Sequence, residues 1–296
     1  MRKPVIGITL GDVAGIGPEV IRKALASCKL PRDFEYEVVL ASVAPRVRPG
    51  RLSLRAAQFA IRSLSSGLEG IRSGRYGALV TGPVNKTGLS RAGFRYPGQT
   101  EWLAAKTKTK KFAMMLACDQ LRVALVSTHL SLAEAVRAVR QEKIIEIASL
   151  TREFLLRAGI RNPRIAVAGL NPHAGENGII GREDGEIILP AVQKLRRRGW
   201  RIAGPLSPDT VFHQAADGAY DAVVCMYHDQ GLIPLKLLAF DSGVNVTLGL
   251  PFPRTSPDHG TAYDIAGKNL ANPGSMIEAI KLACVLAKKA KYSLKK

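Results

Sequence analysis

The feature that most constrains this chain is a short apolar run that stops abruptly at glycine or at a polar cluster, repeated along its length. Residues 5–10 lead into Gly11-Asp12-Val13-Ala14-Gly15-Ile16-Gly17-Pro18-Glu19, and 77–80 into Thr81-Gly82-Pro83. Residues 123–127 lead to Thr128-His129, 164–168 to Gly169-Leu170-Asn171-Pro172-His173, and 222–226 to Tyr227-His228-Asp229-Gln230-Gly231. Further strands are predicted at 38–42, 113–118 and 244–247. Between them fall helical patterns at 17–25, 52–73, 141–158, 185–198 and 276–289. One more helix starts at Leu132 behind the capping box Ser131-Leu132-Ala133-Glu134. Strands alternating with helices predict an α/β fold around a largely parallel sheet. In such folds ligands bind past the carboxyl ends of strands, where these polar loops fall.

A length of 296 residues suits one two-lobed domain or two modest domains. With 46% hydrophobic and 23% charged residues, wholesale disorder is excluded. The longest apolar runs, such as 112–118, fall far short of the roughly 18 residues that span a bilayer. Residues 1–12 read as a first strand and not as a secretory leader, so a cytoplasmic protein without membrane partners is expected. Cys28, Cys118, Cys225 and Cys284 form no C-x-x-C pair, and four buried, reduced thiols are expected. The formal charge is +19 and raises nucleic acid as a partner. Yet the basic clusters at 106–111, 194–201 and 288–296 are scattered, and 6% aromatic content makes a base-stacking platform hard to build. No nucleic-acid partner is expected. The surplus charge suits attraction of an anionic substrate instead.

Only five histidines occur, and His129, His173 and His228 each stand shortly after a strand. Imidazole is a common ligand for zinc and related metals, and three ligands leave positions open for a substrate. There is no H-E-x-x-H and no H-x-H, so these residues would have to meet in space. Lys236 and Arg254 lie in stretches rich in Pro and Gly, read as loops, and suit phosphate or carboxylate recognition. Gly11–Glu19 is neither G-x-G-x-x-G nor Walker A, so a Rossmann dinucleotide fold is not supported. The glycines suit a tight strand-to-helix turn or an anion held by free N–H groups.

Together these loops resemble the PdxA family, the 4-hydroxythreonine-4-phosphate dehydrogenases of pyridoxal phosphate biosynthesis. The matching stretches are GDVAGIGPEV (11–20), VTGPVNK (80–86), GQTEWLA (98–104), STHLSL (127–132), GLNPHAGENG (169–178), GPLSPDTVF (204–212), YHDQGLIPLK (227–236) and VNVTLGLPFPRTSPDHGTAYDIAGK (244–268). They run in order over nearly the whole chain. The last stretch also resembles isocitrate and isopropylmalate dehydrogenases, which bind nicotinamide cofactors without a Rossmann fingerprint. The resemblance implies a three-layer α/β/α fold with two lobes and a cleft between them. One lobe would comprise residues 1–100 with 240–296 and carry the nucleotide-binding loops. The other, 101–239, would carry the metal site and the dimer interface.

The resemblance further implies roles. His129, His173 and His228 would bind one divalent metal (zinc, magnesium or cobalt) at the interface of a homodimer. Gln99, Thr100, Lys236, Asn245 and Arg254 would bind a phosphorylated small-molecule substrate. His259, Gly260, Asp264, Gly267 and Asn272 would hold NAD or NADP. Asp209, Asp229 and Lys236 are candidates for catalysis. For the two aspartates, proton transfer, holding a substrate amine, orienting a neighbour and capping a helix all remain open. The implied reaction is NAD-dependent oxidation and decarboxylation of 4-phosphooxy-L-threonine to 3-amino-2-oxopropyl phosphate. The alternative is a sister dehydrogenase acting on a phospho-erythronate or phospho-threonate acid that lacks the amine. A catalytically dead paralogue is disfavoured because all three histidines, Lys236 and Arg254 are present.

Two departures stand out. Gln99 replaces a histidine usual in the family, and it cannot carry a charge. The segment between about 42 and 56 is shorter than usual, which is expected to trim periphery only.

Overall fold

The computed structural model describes residues 3–40 and 43–288. Part of the strand expected at 38–42 and nearly all of the basic tail at 288–296 lie outside those residues. In chain order, β1 (Val5–Thr9) turns into α1 (Gly17–Leu25), followed by β2 (Glu35–Val39), α2 (Leu54–Arg72), β3 (Ala78–Thr81), α3 (Lys86–Arg91) and α4 (Gln99–Lys106). Pro18 sits in the first turn of α1, where its missing N–H costs nothing. Ser53 caps α2 by accepting the N–H of Ala56, so the helix starts two residues later than the apolar pattern alone predicts. The strand expected at 38–42 is β2, at 35–39. Its polar, half-exposed start, Glu35-Tyr36-Glu37, hides it from a search for apolar runs.

The middle of the chain gives β4 (Ala113–Ala117), β5 (Arg122–Leu125), α5 (Leu132–Ala138), α6 (Gln141–Ala158) and β6 (Arg164–Ala168). It continues with α7 (Leu189–Arg196), β7 (Arg201–Leu206), α8 (Val211–Ala216), β8 (Ala222–Cys225) and α9 (His228–Ala239). The capping box of α5 forms as predicted. β9 (Val244–Leu248), β10 (Arg254–Pro257) and α10 (Gly274–Lys288) close the described chain.

The chain separates into two compact units, residues 1–110 with 241–296, and 111–240. In the first unit the strand order is β2-β1-β3-β10-β9, parallel except for the β10–β9 pair. α2 packs on β1 and β3, and α10 on β10, β3 and β9. In the second unit the order is β4-β5-β8-β6-β7, parallel except for β4–β5. Its core joins Leu125, Val223 and Cys225 to Leu232 and Leu235 of α9. Gly231 permits that approach, since a Cβ there would lie 3.0 Å from Cys225 Sγ.

Three sequence expectations need correction. Lys236 lies on helix α9, which tolerates Pro234 inside it. Arg254 lies on strand β10, whose polar composition conceals it. Only Cys225 and Cys284 are buried, whereas Cys28 is exposed and Cys118 half-buried, and all four are free thiols. Among the described residues no helix is long and apolar enough to cross a membrane.

Candidate active-site residues

In the first unit the most unusual side chain is Arg254. It is 4% exposed, on the central strand β10, between β3 and β9. Its Nε and Nη2 donate to Thr81 Oγ1 at 3.0 and 2.6 Å. Its Nη1 donates to Thr247 Oγ1 at 3.1 Å and more weakly to Thr100 Oγ1 at 3.4 Å. Among the described residues no carboxylate lies within ion-pair distance of it. Burial pushes the guanidinium down to about 10, partly offset by the field of Glu101, so it stays charged at neutral pH. A buried cation held only by neutral hydroxyls calls for an anion to complete it.

The structure brings Thr100 to this group but gives the neighbouring candidates different settings. Gln99 is 9% exposed and donates through Nε2 to Gly82 O at 3.1 Å, so its amide ties α4 to the turn after β3. Asn245 is half-buried on β9, two residues before Thr247 and hence on the same strand face. Thr81 and Thr247 escaped the sequence reading. Their signal is positional, because each places a hydroxyl at or next to the end of a buried strand.

Also in the first unit, the glycine turn after β1 and the 259–268 loop are locked together. Tyr263 Oη donates to Asp12 Oδ2 at 2.6 Å, and Asp12 Oδ1 accepts the Ala14 N–H at 2.9 Å. Burial and then the Asp12 carboxylate push the Tyr263 hydroxyl up, so it stays protonated and donates. Ile16 N–H donates to Thr261 O at 2.9 Å, which occupies one of the free N–H groups of the turn. A Cβ on Gly15 would lie 2.7 Å from Thr261 O. Contrary to expectation, the segment after residue 42 is not mere periphery. Gly50 N–H donates to Ala14 O at 2.8 Å, and a Cβ on Gly267 would strike Pro49 at 2.8 Å. The shortened loop therefore packs directly on the candidate nucleotide loops. His259 Nε2 is buried without a hydrogen-bond partner, the kind of orphan that a bound polar group satisfies. Gly260 and Asp264 are exposed on the same loop. Asn272 accepts the Gly274 N–H at the start of α10.

In the second unit His129, His173 and His228 follow the neighbouring strands β5, β6 and β8. The rings of His129 and His228 have centroids 5.7 Å apart. With metal–nitrogen bonds of about 2 Å, two imidazoles on one ion stand about 5–6 Å apart, so this pair fits two corners of a site. His228 Nδ1 contacts Asp229 Oδ1 at 2.6 Å, an orienting contact that leaves Nε2 for a ligand. His173 opens a run of six residues, 173–178, with left-handed φ. Four of these are not glycine, a strained arrangement. Buried Asp184 anchors its base by accepting from Leu170 N–H at 2.8 Å and Asn171 Nδ2 at 2.9 Å. Sequence reading missed this residue. Among the described residues of the single chain, no group of three His, Cys, Asp or Glu is gathered to hold a metal.

His173 lines an open groove of about 940 Å³ with Glu176, Arg182, Glu186 and Pro205. Asp209 is exposed and accepts from Ser207 Oγ at 2.5 Å. That hydrogen bond is the main cause that holds its carboxyl below the ordinary range. It is thus a firm anion and a weak base. Lys236 is exposed on α9, with Nζ 5.9 Å from the Phe240 ring centroid. In the basic cluster 194–201, Trp200 carries the Arg152 guanidinium over its ring at 4.9 Å.

The fold is shared with a β-decarboxylating dehydrogenase from Thermococcus kodakarensis (17% identity, TM-score 0.52, covering 96% of this chain and 82% of that one). Residues 18–283 match the family model described as pyridoxal phosphate biosynthetic protein PdxA, and the chain belongs to that family. It is 49% identical to the 4-hydroxythreonine-4-phosphate dehydrogenase of Bradyrhizobium diazoefficiens, over 97% of this chain and 84% of the relative. It is 41% identical to the D-threonate 4-phosphate dehydrogenase of Pectobacterium atrosepticum, over 96% and 99% respectively. The crystal structure of 4-hydroxythreonine-4-phosphate dehydrogenase from Klebsiella pneumoniae superposes with a TM-score of 0.82 at 40% identity, covering 96% of this chain and all of that one.

Proposed function

We propose that this protein is an NAD-dependent, divalent-metal-requiring dehydrogenase that converts 4-phosphooxy-L-threonine to 3-amino-2-oxopropyl phosphate. The observation that carries the reading is the near-full-length similarity to proteins named for that activity, up to 49% identity. In the reaction the C3 hydroxyl becomes a ketone, its hydride passing to the nicotinamide and its proton to solvent or a base. The β-keto acid then loses carbon dioxide and takes up a proton at carbon. NADP is the alternative acceptor.

Arg254 binds an anionic group of the substrate, with Thr100 and Asn245 beside it on the same unit, and Lys236 supplies a second cation. Asp209 and Asp229 are the candidates to hold the substrate ammonium, and the depressed carboxyl of Asp209 favours holding a cation over shuttling a proton. The buried ring nitrogen of His259 supports a cofactor role for the 259–268 loop, with Gly260, Asp264, Gly267 and Asn272. His129, His173 and His228 would hold the metal. When bound, it would polarise the C3 oxygen and stabilise negative charge there.

The histidines argue for a homodimer. One chain presents a suitable pair, and the third ligand then comes from the partner. α9 and its C-cap carry exposed Ile233, Leu237 and Phe240 at helical spacing, 60%, 83% and 77% exposed, shortly after His228. Such an apolar stripe suits burial against a second copy. Residues 1–110 with 241–296 would form the nucleotide lobe and 111–240 the metal and dimer lobe, in the cytoplasm.

The relative named for D-threonate 4-phosphate keeps the second reading alive, as does Gln99. Turnover of 4-phosphooxy-L-threonine and of D-threonate 4-phosphate, measured side by side as NADH formation, separates the two. A kcat/KM at least about tenfold higher for the amino substrate supports the main reading. The reverse preference overturns it.

A further inference from the structure

The setting of Arg254 supports an inference about residues to which no role has yet been given. It rests on the reading of Arg254 as a substrate ligand. Strand register explains how its cradle is built. Thr255 pairs with Val246 across the antiparallel β10–β9 ladder, which puts Thr247 opposite Arg254. Arg254 pairs with Leu79 across the parallel β10–β3 ladder, and Thr81 lies two residues further along on the same face. Both neighbouring strands thus offer a hydroxyl to one guanidinium. Both threonines are buried, Thr81 at 0% and Thr247 at 5% exposure.

We propose that Thr81 and Thr247 are positioning residues that fix the Arg254 guanidinium through hydroxyl oxygens alone, leaving its positive charge uncancelled for the anionic group of the substrate. A carboxylate at either place would hold the arginine as well, through a bidentate fork. It would also neutralise the charge and compete with the substrate. The hydroxyls orient without competing. The guanidinium makes three hydrogen bonds to these two threonines and a weaker fourth to Thr100, against five N–H groups, so at least one donor is left to point at a ligand.

The test compares Thr81→Ser, Thr81→Val, Thr247→Val and Thr81→Asp in the full-length protein. It measures kcat and KM for the phosphorylated substrate, the thermal midpoint, and the shift of that midpoint on adding the substrate. Thr81→Ser keeps the hydroxyl and should stay within about twofold of wild type. Thr81→Val should raise KM by about tenfold or more with kcat nearly unchanged, and Thr247→Val by less, because ground-state binding is what is lost. Thr81→Asp should raise KM by about a hundredfold and abolish the substrate-induced thermal shift, while the unliganded protein melts no lower than Thr81→Val. A merely structural threonine would lower the melting point and leave KM alone, and that result overturns the proposal. So does a Thr81→Asp protein that binds substrate like wild type. If Thr81→Asp does not fold, the Ser and Val pair decides. A wild-type protein that neither turns over nor is stabilised by the phosphorylated substrates sinks the reading of Arg254, and this inference with it.

Discussion

The candidate anion site and the candidate metal site are built in opposite ways. Arg254 stands on a central strand, buried and clasped by hydroxyls from both neighbouring strands, and every contact that fixes it comes from within the first unit. The three histidines of the second unit stand on a turn, a left-handed loop and a helix start, all partly or largely exposed, and the rings of His129 and His228 stand 5.7 Å apart with no third ligand gathered to them among the described residues. Preorganisation within one chain suits a group that must hold its charge ready in a dry setting. Ligands at the surface, beside a stripe of exposed apolar side chains, suit a site finished by association.

That contrast yields graded predictions. The largest effect belongs to Arg254. Arg254→Met should lower kcat/KM by about a thousandfold, in the range for losing one partner of a buried charged contact, while the melting temperature holds or rises because a buried charge is gone. Steady-state kinetics and thermal melting would check both halves. A smaller effect is expected from the apolar stripe on α9 that is proposed to finish the other site. Leu237→Asp should shift the protein toward monomer in sedimentation and cut metal-dependent turnover by about tenfold, leaving the melting temperature of the chain nearly unchanged. A monomeric variant with full activity would break the comparison.

The smallest effect tests a contact that belongs to neither site. Asp221 bridges the starts of β6 and β8, accepting from the Arg164 backbone N–H at 2.7 Å and from its Nη2 at 3.0 Å. Burial pulls its carboxyl up, but the Arg164 hydrogen bonds and charge win, and it titrates below the ordinary range. A carboxyl depressed in the folded state stabilises the fold above its unfolded pKa, and that stability is lost as pH falls through the folded value. Asp221→Asn should therefore cost about 1 kcal/mol at neutral pH and little in strong acid, read from denaturant midpoints at several pH values.

Much of the fold was legible because strands buried on both faces read as unbroken apolar runs. β6, at residues 164–168, was predicted to the residue, and α5 was announced by a capping box whose two hydrogen bonds are both present. What escaped has physical reasons. β10 is Arg-Thr-Ser-Pro, buried between β3 and β9 with no aliphatic residue of its own, and no hydropathy pattern signals that. α9 carries Gly231 and Pro234, which read as loop, yet the glycine is there to let the helix approach Cys225 and Leu125. That His129, His173 and His228 each follow a strand was legible from the sequence. The hydroxyls around Arg254 were not, because a threonine in a strand is ordinary until the register brings two of them to the same guanidinium. The shortened segment after residue 42 was misread as periphery because its contacts, to Ala14 and Gly267, are with loops distant in sequence.

The claim that the anion site is complete in one chain while the metal site needs two can be tested directly by mixing two inactive variants. His173→Ala and His228→Ala, each purified with the added divalent metal, should show little NADH formation alone. After mixing and subunit exchange, half of the dimers are mixed, and one of their two sites regains all three histidines. Activity should return to about a quarter of wild type, whereas Arg254→Met mixed with Thr100→Val, whose residues act within the same chain's site, should gain much less from exchange. If the mixture of histidine variants stays as inactive as its components while wild type turns over, the three ligands come from one chain and the account is wrong.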